Sequence, residues 1–158
     1  MIAALTTHYC RNLACRMSGL DVGDRRIGLA FGDTDVSIGM PAGVLERTEI
    51  GADVEAVLRE ARERDAGVLV VGMPYTLRGE RGPQAEAVET FVAALRAATD
   101  LDVVTVDERF STAEAQARMA DARPPAGRKK PRRPPKGADD AAAAAIIVTR
   151  WLAQGHSP

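Results

Sequence analysis

The sequence predicts an α/β fold in which a mixed β-sheet carries helices on both faces. Residues 19–31 read as a hairpin, because an apolar run ends at Asp21, Gly23 permits a sharp turn, and Ile27–Phe31 forms the second arm. Val68–Gly72 is short, uniformly apolar and rich in β-branched residues, as in a strand that is covered on both sides. Helical and strand patterns then alternate, which adds parallel βα units to the antiparallel hairpin.

Length and composition indicate one globular domain. The chain has 158 residues, of which 46% are hydrophobic, and this is enough for a sizeable core. We expect a loosely ordered extension over residues 1–12, a single domain over 13–154 and a tail over 155–158. No apolar run approaches the ~20 residues of a membrane-spanning helix, so we expect no membrane partner. The formal net charge of −1 means that binding to nucleic acid depends on a local basic patch.

The cysteines and histidines exclude some kinds of site. Cys10 and Cys15 have no second pair at zinc-site spacing, so we expect two reduced thiols in a cytoplasmic protein. His8 and His156 lie near the two ends of the chain, which argues against a histidine-based catalytic centre. Carboxylates must then carry any acid–base or metal chemistry.

The first three predicted strands are Leu13–Leu20, Ile27–Phe31 and Val36–Met40, and the third is ended by Pro41. In the rest of the chain, helical periodicity and capping residues predict the helices, and apolar runs predict the strands. In order these elements are helix Ile50–Arg64, strand Val68–Gly72, a helix that begins at Pro83, strand Leu101–Val106, a helix from Ser111 to about Ala120, and a helix from Asp139 or Asp140 to about Gln154.

Residues 123–137 interrupt this pattern with five prolines, seven basic residues and no acid. This composition predicts an extended, mobile loop. We expect the loop to be a basic arm that contacts nucleic acid through Arg128, Lys129, Lys130, Arg132 and Arg133.

Three acids stand at the ends of predicted elements. Asp21 ends the first strand, Glu108 follows the last strand, and Asp140 opens the last helix. Because the carboxyl ends of parallel strands share one edge of a sheet, we expect the three to meet there. Asp140 lies at the N-terminal end of the apolar face of its helix. Asp139 points about 100° away from that face around the helix axis. The alternative interpretation is that these acids only cap a turn and a helix.

Four motifs occur in order and together resemble the YqgF/RuvX family. They are LDVGDRRIG at 20–28, VVGMP at 70–74, DERFST at 107–112, and D-x-x-A-A-x-I-I from residue 140. Members of this family are bacterial proteins with a ribonuclease H-like fold, described as Holliday junction resolvases or as pre-16S ribosomal RNA nucleases. The resemblance covers about residues 15–154. It implies a five-stranded sheet in the order 3-2-1-4-5, with the first three strands antiparallel.

The resemblance also implies what the three acids do. The acidic residues of the family fall on Asp21, Glu108 and Asp140, as catalytic groups and as ligands of two Mg²⁺ or Mn²⁺ ions about 4 Å apart. Ribonuclease H relatives often carry an acid at the end of the strand that corresponds to Val68–Gly72. This chain has no acid there, so Glu108 must supply that carboxylate from the neighbouring strand.

The implied function is that of a metal-dependent nuclease, a hydrolase that processes the 5′ end of pre-16S ribosomal RNA as a monomer or weak homodimer. A nuclease for branched DNA, such as a Holliday junction resolvase, is the alternative and calls for a two-fold dimer. A noncatalytic RNA-binding assembly factor is a third interpretation. An actin-like ATPase module is a fourth, but that fold needs two such domains and this chain supplies one.

Five arginines lie in or beside loops at the predicted edge of the sheet that carries the acids. We expect them to hold backbone phosphates. The alternative for each is a solvated surface charge, and we expect this alternative to hold for one or two of them. They are Arg25, Arg26, Arg78, Arg81 and Arg109. Aromatic residues make up only 4% of the chain, so base stacking is not expected to dominate binding.

Overall fold

The structure is a computed structural model that describes residues 15–36, 38–76, 78–108 and 137–154. Within these ranges the chain forms five strands and three helices. They are β1 Arg16–Val22, β2 Arg26–Asp33, β3 Met40–Glu46, α1 Ile50–Glu63, β4 Val68–Met73, α2 Pro83–Ala98, β5 Asp102–Asp107 and α3 Ala138–Ala153.

The five strands form one mixed sheet in the order β3-β2-β1-β4-β5. The pairs β1–β2 and β2–β3 are antiparallel. β4 runs parallel to β1 on one side and to β5 on the other, and it is buried along its whole length. The predicted α/β class, the five-stranded sheet and its order are therefore confirmed.

The side chains of the sheet face two separate cores. On one face, Leu20 and Leu69 pack with α1 and α2. On the other face, Met17 and Val70 pack with α3. Because side chains alternate along a strand, Asp21 lies on the same face of β1 as Met17, which is the face that α3 covers.

The third strand differs from its prediction. Residues 34–36 form a turn closed by the Asp33 carboxylate, and β3 begins at Met40 rather than ending there. Pro41 therefore lies inside a strand instead of terminating one. Two features permit this: β3 is an edge strand, and its register shifts beside Gly43, which has a left-handed φ of 121°.

Other boundaries shift by a few residues. β1 continues through Asp21 to Val22, and α3 begins at Ala138, directly after Gly137 in the left-handed conformation with φ 95°. Cys15 is disulfide-bonded, so the expectation of a reduced thiol is wrong for this residue. None of the helices in the described ranges has the length and apolar character needed to cross a membrane.

Several expectations lie outside the described residues. They are the extension 1–12, the helix from Ser111, the basic loop except for Gly137, and the tail 155–158.

Candidate active site

Asp21 lies on a part of β1 that is flanked by glycines. Its cross-strand partner on β2 is Gly28. On β4, Gly72 follows directly after Val71, which pairs with Leu20. Asp21 is half-buried, and the main chain on both sides of it carries no side chain. A glycine inside a strand indicates a close approach by another group, and here there are two.

The space above each of these glycines is filled by one of the other two acids. A Cβ on Gly28 would collide with the main-chain oxygen of Asp140, at the start of α3. A Cβ on Gly72 would collide with Oε1 of Glu108. The two glycines therefore admit Asp140 on one side of Asp21 and the Glu108 carboxylate on the other.

Burial and the proximity of the other acids raise the pKa of Asp21 and of Glu108. Burial raises the pKa of Asp21 above its ordinary value, and the nearby charge of Asp140 raises it further. Burial, together with the charges of Asp21 and Asp107, raises the pKa of Glu108 to about 7. Asp21 thus interacts electrostatically with both Glu108 and Asp140, and the three carboxylates form one cluster at the edge of the sheet.

Asp140 and Asp139 occupy different environments although both lie in the first turn of α3. Asp140 accepts a hydrogen bond from Arg26 Nη1 at 3.3 Å, within an ion pair whose side chains are 38% and 30% exposed. Asp139 is exposed. The helical phase inferred from the sequence, with Ala144, Ile147 and Trp151 on the buried face, agrees with this arrangement.

The carboxylate groups of the cluster have the right chemistry for a divalent cation, but in this structure the described side chains are not arranged as a metal site. Carboxylate oxygens are the ligands that Mg²⁺ and Mn²⁺ prefer. Burial and the repulsion between neighbouring carboxylates raise the pKa values of Asp21 and Glu108, and a cation would stabilise the charged forms of both. Within the described ranges, no group of three or more His, Cys, Asp or Glu residues is arranged to hold a metal ion. Asp140 is paired with Arg26 instead.

The predicted phosphate-binding arginines are distributed unevenly. Arg25 is exposed in the β1–β2 turn, and Arg26 is paired with Asp140. Arg78 is exposed in the loop after β4. Arg81 forms an ion pair with Glu89 of α2 at 3.3 Å, on the flank of the sheet away from α3. Arg109 and the five basic residues of the loop lie outside the described residues.

Comparison with known proteins identifies the family. The family model described as "RuvX: Holliday junction resolvase" matches residues 15–154. This chain belongs to the RuvX family. A "Putative pre-16S rRNA nuclease" of Synechococcus sp. (strain JA-2-3B'a(2-13)) is 43% identical over 112 residues, which are 71% of this chain and 66% of that protein. The protein of the same name from Desulforudis audaxviator (strain MP104C) is 38% identical over 107 residues, 68% and 76% of the two chains.

Solved structures support the same assignment at the level of fold. Thermus thermophilus RuvC in complex with a Holliday junction substrate superposes with a TM-score of 0.59 at 18% identity, over 90% of this chain and 97% of that one. Another structure of Thermus thermophilus RuvC gives a TM-score of 0.56 at 15% identity, with the same coverage. This RuvX chain therefore has the ribonuclease H-like architecture of RuvC.

The glycines are the site residues that the sequence argument missed. Gly28 and Gly72 both lie in the family motifs, but the sequence argument used neither of them. The available signal was a glycine inside each of two strands next to the strand that carries Asp21. The Gly72 contact also explains how Glu108 replaces an acid at the end of β4: its carboxylate lies where a side chain of residue 72 would begin.

Proposed function

We propose that this RuvX-family chain is a divalent-metal-dependent nuclease that hydrolyses phosphodiester bonds in structured nucleic acid, with pre-16S ribosomal RNA as its substrate. The name shared by its relatives supports the substrate. Processing of ribosomal RNA also implies that it acts in the cytoplasm, and it requires no more than a monomer.

One observation carries this proposal: Asp21, Glu108 and Asp140 converge on one glycine-lined edge of the sheet. Burial, together with the charges of neighbouring acids, raises the pKa values of Asp21 and Glu108, and Arg26 forms an ion pair with Asp140. A scaffold that brings buried like charges together is more typical of a functional site than of a stabilising contact.

These three carboxylates are the groups that would hold Mg²⁺ or Mn²⁺. The bound metal supplies activation of a water and neutralisation of charge on the leaving oxygen. Asp21 is held by its pairing with Gly28 of β2, directly after the β1 residues that pair with β4. Asp140 lies in the first turn of α3, and Glu108 directly follows β5. Arg26 holds the Asp140 carboxylate in place through their ion pair.

The arginines near the cluster are suited to binding the phosphates on either side of the scissile bond. Arg25 extends from the β1–β2 turn and Arg78 from the loop after β4, and both are exposed. Arg109 and the basic segment 128–133 would extend this contact along the strand. Arg81 contributes less in this proposal, because it is already paired with Glu89.

A cleavage assay tests the proposal. Purified protein should cleave pre-16S RNA with Mg²⁺ or Mn²⁺, and EDTA should stop the reaction. Asp21→Asn should abolish cleavage while retaining RNA binding, because it keeps size and hydrogen bonding but removes a charge that the metal requires. Turnover by Asp21→Asn close to that of wild type would contradict the proposed site.

The description of the family favours a second candidate, a Holliday junction resolvase. A resolvase must cut two strands symmetrically, so this activity requires a two-fold dimer. Assaying a four-way DNA junction beside pre-16S RNA, with the oligomeric state measured at the same protein concentration, separates the two. Binding of RNA without cleavage of either substrate would favour a noncatalytic assembly factor.

A further inference from the structure

A buried ion pair lies on the face of the sheet opposite the acidic cluster. Asp53, in the first turn of α1, is only 4% exposed. Its carboxylate accepts hydrogen bonds from Arg47 Nε at 3.1 Å and from the main-chain N–H of Thr48 at 2.9 Å. Burying a charge is costly unless it is paired and hydrogen-bonded, and here both conditions are met.

Arg47 connects this pair to the β1–β2 turn at two points. Its side-chain Nη1 donates to the carbonyl oxygen of Gly23 at 2.9 Å. Its main-chain N–H donates to the carbonyl oxygen of Arg25, also at 2.9 Å. The guanidinium group lies 5.7 Å from the ring centre of Phe91 on α2. One residue thus ties the turn to both α1 and α2.

This turn joins the end of β1, which carries Asp21, to the start of β2 at Arg26. It begins two residues after Asp21 and leads directly into Arg26, the partner of Asp140. The turn itself is closed by the hydrogen bond from Gly23 N–H to the carbonyl oxygen of Arg26, at 2.9 Å. A shift of the turn would therefore move both Asp21 and the group that holds Asp140.

We infer that Arg47 and Asp53 are positioning residues for the nuclease site. They hold the β1–β2 turn in place from the face of the sheet opposite α3. This inference rests on the proposed function. Neither residue lies on the α3 face with Asp21, so neither touches a bound nucleic acid strand at the cluster. The fork of the Arg47 guanidinium is what allows one side chain to bind a carboxylate and a carbonyl oxygen at once.

Two variants separate positioning from folding. The double variant Arg47→Met/Asp53→Asn removes both charges, so that no buried charge is left unpaired. Arg47→Lys retains the charge beside Asp53, but a single ammonium cannot reproduce the fork. Arg96→Met is the matched control, because Arg96 Nη2 also donates to a carbonyl oxygen, that of Val103, at 2.9 Å, between α2 and β5 and away from the turn.

Three measurements are compared: thermal stability, kcat and KM for RNA cleavage, and amide hydrogen exchange over residues 22–26 in metal-free protein. We expect both Arg47 variants to lose about 10- to 100-fold in kcat with little change in KM, because small displacements of reacting groups have effects of this size. Exchange in the turn should rise about tenfold or more, since the local structure that protects it has been loosened. Arg96→Met should show neither change.

The Arg47 variants are compared with Arg96→Met at the same loss of thermal stability. The inference is overturned if kcat falls no further in the Arg47 variants than in Arg96→Met. Unchanged exchange over residues 22–26 would overturn it as well. The two proposals fail in distinguishable ways: a wild-type protein that cleaves no nucleic acid contradicts the nuclease function, and the exchange comparison still decides whether Arg47 fixes the turn.

Discussion

At the scale of single residues, the most informative feature is that three acids share a half-buried space in which the described residues supply one nearby cation, Arg26. Burial, and after it the charges of neighbouring acids, raises the pKa values of Asp21 and Glu108. The ion pair between Arg26 and Asp140 offsets part of the repulsion. Asp21 and Glu108 therefore contribute unfavourably to folding when they are charged, and two predictions follow from that and from the geometry.

The first prediction concerns pH and stability. The pKa of Glu108 is about 7 in the folded protein against an ordinary value of 4.5, so the folded state keeps a proton that the unfolded state releases. The free energy of unfolding of the metal-free protein should therefore fall as the pH rises from about 4.5 to about 7. Above a pH of about 7, Glu108 should cause little further change. Asp21, whose pKa is also raised, acts in the same direction. Urea unfolding at pH 5 and pH 8 measures the free energy of unfolding at each pH. The decrease between the two pH values should be smaller in Glu108→Gln than in wild type. An equal decrease in the two proteins would contradict the prediction.

The second prediction compares two adjacent acids. Asp140→Asn should lower cleavage by at least the roughly 10- to 100-fold seen when a residue that supports a metal site is lost, since Asp140 interacts with Asp21 and Arg26. Asp139→Asn is the matched control. It should leave the rate nearly unchanged and cost about 0.3–1 kcal/mol of stability, through the helix dipole alone. If Asp139→Asn is instead the inactive variant, the assignment of the third carboxylate is wrong by one residue.

At the scale of elements, the position of α3 depends on several glycines in the sheet and directly before β3. A Cβ on Gly19 or Gly32 would collide with Val148, and one on Gly39 with the main chain of Ala145. Together with Gly28, these residues let the helix axis lie close to the strands. That close approach is what brings the first turn of α3, and with it Asp140, to the level of Asp21.

Substitution of Gly28 tests this dependence. Gly28→Ala would place a methyl group against the main-chain oxygen and carbon of Asp140, which cannot rotate away, so α3 must shift. We expect a loss of about 1–3 kcal/mol in the free energy of unfolding, together with reduced cleavage. Gly51→Ala in α1 is the control, because nothing lies within 4 Å of its Cβ; it should be neutral or stabilise by up to about 1 kcal/mol. Equal effects of the two substitutions would contradict close packing of α3.

The order of the elements and the convergence of the acids were predictable from local pattern and family motifs. Apolar runs and helical periodicity depend on nearest neighbours, and the carboxyl ends of parallel strands always meet. The third strand was placed wrongly because Pro41 ends most strands, whereas here the open side of an edge strand accommodates it. The ion pair between Arg26 and Asp140 and the contact of Glu108 with Gly72 join elements far apart in the chain, so no local pattern indicates them.

At the scale of the whole molecule, the distribution of charge matters more than its sum. The formal net charge is −1, yet residues 123–137 carry seven basic residues and no acid. A protein of this net charge gains little from its overall field when it approaches nucleic acid, so the affinity must come from local clusters. Salt dependence is the observable that distinguishes a cluster that contacts phosphates from one that does not, because each neutralised phosphate releases counterions.

The last prediction applies this to the basic segment. Replacing Arg128, Lys129, Lys130, Arg132 and Arg133 with glutamine should weaken nucleic-acid binding, and the slope of log affinity against log salt should fall by up to about 0.9 for each lost duplex phosphate contact. Arg59→Gln/Arg62→Gln is the control, because both arginines are exposed on α1, across the sheet from the acidic cluster. If net charge alone governed binding, the change in slope per removed charge would be the same in both proteins. If the segment contacts phosphate, only the first protein changes its slope, and its thermal stability stays that of wild type because the segment contains too few apolar residues to pack.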